Sequence, residues 1–195
     1  MLRQFRSAVI AVLALTVLLG LAYPLAVTGL GQVLWAYQAN GSQVRADGRT
    51  VGSALIGQDF RGISKYFQGR PSASGDDPAQ TAASNLGPNS RQLADDIRAR
   101  MAAYLRRERP YDPGLAAAAV PADAVTASGS GVDPDISVAD ADIQAHRVAA
   151  VRHLPLNTVL ALVTAHTDSS AAGLFGSDAV NVLALNLALD ARSQR

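Results

Sequence analysis

The residue types best suited to chemistry lie between Thr126 and Asp142. Thr126, Ser128, Gly129, Ser130 and Gly131 combine hydroxyls with flexible backbone in the run Val125-Thr126-Ala127-Ser128-Gly129-Ser130-Gly131. A loop of that kind ahead of a helix can turn its amides toward an anion, which makes it a candidate nucleotide or phosphate loop. The plainer reading is an ordinary Ser/Gly turn. Just beyond it, Asp133, Asp135, Asp140 and Asp142 are candidates for drawing cations to one face. The competing roles are local: Asp133 and Asp135 satisfying amides in a D-P-D turn, Asp140 and Asp142 stabilising the first turn of a helix. Tyr66, Phe67 and Arg70 form a third set. Aromatics beside arginine in a polar loop suit a protein partner, and burial within the domain is the equal alternative.

Several chemistries are excluded. The chain of 195 residues has no cysteine, so disulfides, thiolate metal sites and cysteine nucleophiles are out. Its single lysine, Lys65, stands in Ile-Ser-Lys-Tyr-Phe and cannot serve a P-loop. There is no G-x-G-x-x-G, no G-x-S-x-G and no H-E-x-x-H. His146 and His153 are spaced to share a helix face, but solvated helix histidines account for that spacing without a metal. Net charge is +1 with 5% aromatic residues, which does not suit nucleic acid. No catalytic residue, metal or cofactor of its own is expected.

The elements that must position these residues are short. Val51 to Ile56 reads as a strand, and Arg61 to Asn89 as a long Gly/Ser/Pro/Asn loop of the sort that is usually functional or bound to a partner. Asn89 or Ser90 caps a helix through Arg107 that carries Leu93, Ile97, Met101, Tyr104 and Leu105 on one face. Val120 to Ser128 reads as a strand or extended segment, broken by Gly129-Ser130-Gly131. Ser137 and Asp140 form a loose capping box for a helix through Leu154, with Ile143, Val148 and Val151 as its core residues. Pro155 opens a second helix to His166, and a turn falls over 173–177. From Val180 to Asp190, leucines at 183, 185, 187 and 189 suit a strand buried on one face, in competition with a Leu/Ala helix. Asn85, Asn181 and Asn186 are expected to tie loops to the core. The fold class is mixed α/β (α+β), with one soluble domain over 35–195.

All charge is missing from Ser7 through Val44. Ala8 to Leu30 is apolar all round and would span roughly 34 Å as a helix, enough for the ~30 Å hydrocarbon core of a membrane. Trp35 and Tyr37 follow where an interfacial belt would lie, and Tyr23-Pro24 is a candidate kink. The run is too long for a cleaved signal. The reading is a cytoplasmic tip over 1–7 and a transmembrane anchor over 8–34 in contact with membrane lipid. Arg3 and Arg6 precede the anchor, which puts the N-terminus in the cytoplasm and the C-terminal domain outside. Charge beyond the anchor is uneven: Arg45 to Tyr111 holds eleven bases and seven acids, Asp112 to Asp190 two bases and nine acids.

A set of short segments, in order over nearly the whole chain, resembles a known family. They are Tyr23-Pro24, Gln38-Ala39-Asn40-Gly41-Ser42, Gly52-Ser53-Ala54-Leu55-Ile56-Gly57-Gln58 with Phe60, Tyr66-Phe67-Gln68-Gly69-Arg70-Pro71-Ser72-Ala73 and Ser84-Asn85-Leu86-Gly87-Pro88. Val120-Pro121, the Val125 to Gly131 run, Asp133-Pro134, Arg147-Val148-Ala149, Val180-Asn181-Val182 and Leu185 to Asp190 complete the pattern. Together they resemble the C subunit of the Kdp-type high-affinity potassium-transporting ATPase of bacteria. Asp135 stands where many members carry histidine, and Asn89-Ser90 reverses the usual order.

The resemblance implies an accessory subunit of the inner membrane that supports assembly and stability of the complex. Its implied partners are a P-type ATPase subunit, which uses the ATP, and a multi-spanning potassium-binding subunit. A nucleotide-binding role as catalytic chaperone is the family's alternative, and an independent anchored envelope enzyme is a further one. With the domain outside, where ATP is scarce, a cap over the outer potassium entrance is the sharper expectation.

Overall fold

Apolar side chains on every face give Leu2–Leu34 one helical run in the computed structural model, which describes residues 2–169 and 176–193. The run consists of α1 (Leu2–Val17), a five-residue π turn (Leu18–Ala22) and α2 (Tyr23–Leu34). The π turn sits just before Pro24, whose missing N–H breaks the ordinary ladder, and Tyr23 N–H reaches five residues back to Leu18 O. None of the apolar span is buried. Trp35 interrupts the helix and α3 (Ala36–Ala39) follows. The chain divides into two compact units, Met1–Gln43 and Val44–Arg195.

A hairpin of β1 (Gln43–Ala46) and β2 (Arg49–Ser53) comes next along the chain. Asp47 (φ 50°) and Gly48 (φ 75°) make the two-residue turn, both left-handed as a primed turn requires. The strand expected over 51–56 is therefore shifted: Ala54 to Ile56 turn away from it. From there to Asn89 the chain holds no regular helix or strand. Ser90 then caps α4 (Arg91–Glu108), its hydroxyl accepting from Leu93 N.

Val120 to Ser128 is not a strand. Two 3-10 turns, Ala117–Ala119 and Ala122–Ala124, wind this Ala/Pro segment tightly instead. A small antiparallel sheet follows in the order β3 (Asp135–Ser137), β5 (Ala179–Asn181), β4 (Thr167–Asp168). Ile136 lies opposite Val180 in its register. Between these strands run α5 (Val138–Arg152) and α6 (Leu156–Ala165). His153 ends α5 in the left-handed region (φ 55°) and Pro155 restarts the chain. Part of the turn expected over 173–177 lies outside the described residues.

The alternating leucines of 180–190 are corrected too. Only Ala179–Asn181 is strand, and α7 (Val182–Ser193) begins at once, with Asn181 Oδ1 accepting from Ala184 N. Leu185 and Leu189 lie four apart and fully buried, which is the helix's core face, while Leu187 is only half-buried. One apolar core joins them to Ala141, Ala145, Val148, Val159, Val163, Ile136, Val180 and Phe67. A second packs Tyr104, Leu115, Val120 and Val125 against α4, with Ile143 at its edge.

Candidate functional site

The irregular segment Ser64 to Gln68 is threaded against α5 and α7, and side chains hold its backbone as a sheet neighbour would. Asn186 of α7 accepts from Phe67 N (2.9 Å) and donates to Phe67 O (2.9 Å). Gln144 of α5 does the same to Gln68 N (2.8 Å) and O (3.0 Å). Arg147 donates to Ser64 O and Tyr66 O, and Arg152 to Lys65 O. Buried peptide groups must be paired, and here helix side chains replace a missing strand.

Below the segment lies a buried ion pair. Arg147 Nε contacts both Glu108 oxygens at 3.1 Å, and each side chain is 1% exposed. Arg107 donates to Glu108 (2.6 Å) and to Gln68 Oε1 (2.8 Å), linking α4 to the same network. Asp140 accepts from the Tyr104 hydroxyl at 2.5 Å. Burial pushes the Asp140 carboxyl up to about 6, opposed by hydrogen bonds from Tyr104 and Gln144. Burial also pushes the Tyr104 phenol up, reinforced by the Asp140 charge.

The three sequence-marked groups fare differently. Phe67 is fully buried in the core, which takes it out of the candidate partner contacts and fits the alternative of burial within the domain. Tyr66 is half-buried, its hydroxyl on Asp190 (2.6 Å) and its ring under Arg152. Arg70 pairs with Asp133 at 2.9 Å. In the Ser/Gly loop, Ser128 N donates to Pro71 O. The Ser130 and Gly131 amides donate to Ser128 Oγ, and Val132 N to Ser130 Oγ. Gly131 O accepts from Ser72 and Ser74, while Thr126 Oγ1 donates to Ala122 O. The Ser128 amide is thus taken by the 71–82 loop, and those of Ser130, Gly131 and Val132 by serine hydroxyls of their own turn, rather than held out to an anion; Gly129 is exposed with its neighbours already committed.

Among the acids, Asp140 is 1% exposed and belongs to the interior, which corrects its place among surface cation-attracting groups. The capping box is also only half formed. Ser137 Oγ accepts from Asp140 N, but Asp123, not Asp140, takes the Ser137 N–H (2.7 Å). Asp142 is exposed on α5. Asp133 and Asp135 line an open cleft of about 500 Å³ with Arg70, Asp123, Thr126 and Asp178. Burial pushes Asp135 upward; Asn181 opposes this and the charges of Asp133 and Asp168 add to it.

The arrangement can hold an extended segment rigidly and gather negative charge in one cleft. Among the described residues, no three His, Asp or Glu side chains converge to hold a metal ion. Asn181 does tie a loop, donating to Ala54 O, whereas Asn85 is exposed with φ 52°. Sequence reasoning missed Gln68, Glu108 and Gln144. The available signal was a glutamate in the last turn of an arginine-rich helix, where the dipole alone disfavours it.

A family model described as "KdpC: K+-transporting ATPase, c chain" matches residues 5–191. The potassium-transporting ATPase KdpC subunit of Rhodopseudomonas palustris is 49% identical over 209 aligned positions, covering 100% of both chains. The subunit of that name from Caulobacter vibrioides is 51% identical, covering 98% of this chain and 95% of its own. That of Mycobacterium tuberculosis is 48% identical, covering 97% and 99%. With the matched residues spanning both the apolar helix and the folded unit, the chain belongs to the KdpC family, the c chain of K+-transporting ATPases.

Proposed function

We propose that this subunit of a potassium-transporting ATPase complex is a non-catalytic, assembly-stabilising component anchored in the bacterial inner membrane. Its N-terminus lies in the cytoplasm and its folded unit outside, where it caps the potassium entrance. Its neighbours are the P-type ATPase subunit, which hydrolyses ATP, and the multi-spanning potassium-binding subunit. The carrying observation is the Leu2–Leu34 helix, whose apolar span has no burial of its own. A span of that kind needs lipid or other transmembrane segments around it.

The polar groups of Ser64–Gln68 and of the Ser/Gly loop are engaged internally, which favours a rigid docking body over a nucleotide site. Electrostatic focusing by the acidic C-terminal half supports the cap. The test of membership is isolation of the complex through a tagged ATPase subunit: the full chain is expected in fixed proportion, and a chain lacking residues 1–34 is expected to be lost. Recovery of the truncated chain at full proportion would refute anchoring as the basis of retention. The cap is tested by neutralising Asp133, Asp135 and Asp142 together at low ionic strength. Apparent potassium affinity is expected to weaken, and unchanged affinity and rate would sink it.

A further inference from the structure

We infer that the π turn at Leu18–Ala22 is a docking point for a transmembrane segment of a partner subunit, which donates a side-chain hydrogen bond to the Leu19 carbonyl. The inference rests on the proposed role as an anchored subunit of the transport complex. In an α-helix, Leu19 O would accept from Tyr23 N–H. Here Tyr23 N–H donates to Leu18 O instead. The five-residue spacing of the π turn assigns Leu19 O to residue 24, which is Pro24 and has no N–H. Neither helical spacing supplies a donor.

Side chains of the span do not repair this. Its threonines, Thr16 and Thr28, can bond back only to carbonyls three or four residues earlier, which excludes Leu19. Leu19 also stands midway between Ala8 and Leu30, the ends of the apolar run. At that depth there is no water and lipid tails carry no donor, so an unpaired carbonyl is strongly disfavoured. Beside it, a Cβ added at Gly20 would meet only Thr16 Cγ2, at 3.9 Å, so a neighbouring helix can approach closely.

The occupant follows from the missing group. It carries a hydroxyl or amide donor at mid-membrane depth. A parallel second copy in register sets Leu18, Leu19, Gly20, Leu21 and Ala22 at that level, and none of them has a side-chain donor. A different subunit of the complex supplies it.

The experiment uses the whole complex in native membranes. Pro24→Ala restores the N–H, lets Leu19 O pair within the helix and strands the partner's donor. Gly20→Leu leaves the carbonyl as it is and blocks approach. Both variants are expected to insert normally and to lower retention of the chain after detergent extraction by about threefold, the scale of one interhelical hydrogen bond in a membrane. A photo-crosslinking residue at Leu18 or Ala22 is expected to capture a partner subunit. Retention like the wild type in both variants, or crosslinks only between copies of this chain or to lipid, would overturn the docking point alone. Loss of the wild-type chain from the complex would overturn the anchored-subunit reading and the docking point with it.

Discussion

Asp140 shows how a single buried side chain sets a measurable property. Its carboxyl is pushed up to about 6, so the folded chain keeps a proton that the unfolded chain releases near the ordinary value of 3.8. Stability from this group is therefore full at and below pH 3.8 and lost as pH rises to about 6, by about 3 kcal/mol in all. Unfolding of the full chain in detergent across pH 4 to 7 is expected to show that fall, and Asp140→Asn to flatten it. Glu108 has the opposite importance. Glu108→Ala leaves Arg147 buried without its counter-charge and is expected to cost about 3–5 kcal/mol in the same assay, whereas Arg147→Met with Glu108→Leu is expected to cost less. Little of this was legible beforehand. Asn186 stood out as a polar group among apolar neighbours, but Gln144 and Glu108 sit in sequence as ordinary polar helix residues. Their burial depends on a segment 76 and 39 residues away in the chain, respectively on Gln68 and Arg147.

Elements were legible where local chemistry decided them and illegible where tertiary context did. Ser90 and Pro155 marked helix starts because caps and fixed φ act within a few residues. The last helix was ambiguous because leucine at every second position contains leucine at every fourth. Burial of Leu185 and Leu189 by α5 and α6 chose the helix, and pairing of three residues with β3 and two with β4 kept Ala179–Asn181 as strand. The Asp47-Gly48 pair is a hairpin signal in the sequence, and the strand expected from Val51 to Ile56 took no account of it. In the Ser/Gly loop, composition suggested flexibility where the fold uses close approach. Gly131 has φ 75°, and a Cβ there would lie 2.5 Å from Ala82 O. Gly131→Ala is expected to destabilise the folded unit by about 2 kcal/mol or more, through strain at a left-handed position and that clash. Gly129→Ala, with nothing within 4 Å, is expected to change stability by less than about 1 kcal/mol. Equal melting points for the two variants would contradict the inward-facing loop.

At the scale of the molecule, the segment without charge defines one unit and the folded α/β body another. The absence of cysteine makes orientation simple to measure. A single cysteine at exposed Ala99 is expected to react with a membrane-impermeant maleimide in cells with a permeabilised outer envelope, and one at Ser7 only after lysis. The reverse pattern would contradict the proposed sidedness. The accessory role reaches further, to the complex itself. The direct measurement is co-purification of the P-type ATPase and potassium-binding subunits from membranes that either contain or lack this chain. Without it, the two subunits are expected to separate on extraction, and potassium-stimulated ATP hydrolysis to fall with them. Full return on adding back the intact chain, and none with a chain lacking residues 1–34, is the predicted result. Partner subunits that stay together and hydrolyse ATP at the full potassium-stimulated rate without this chain would contradict the account.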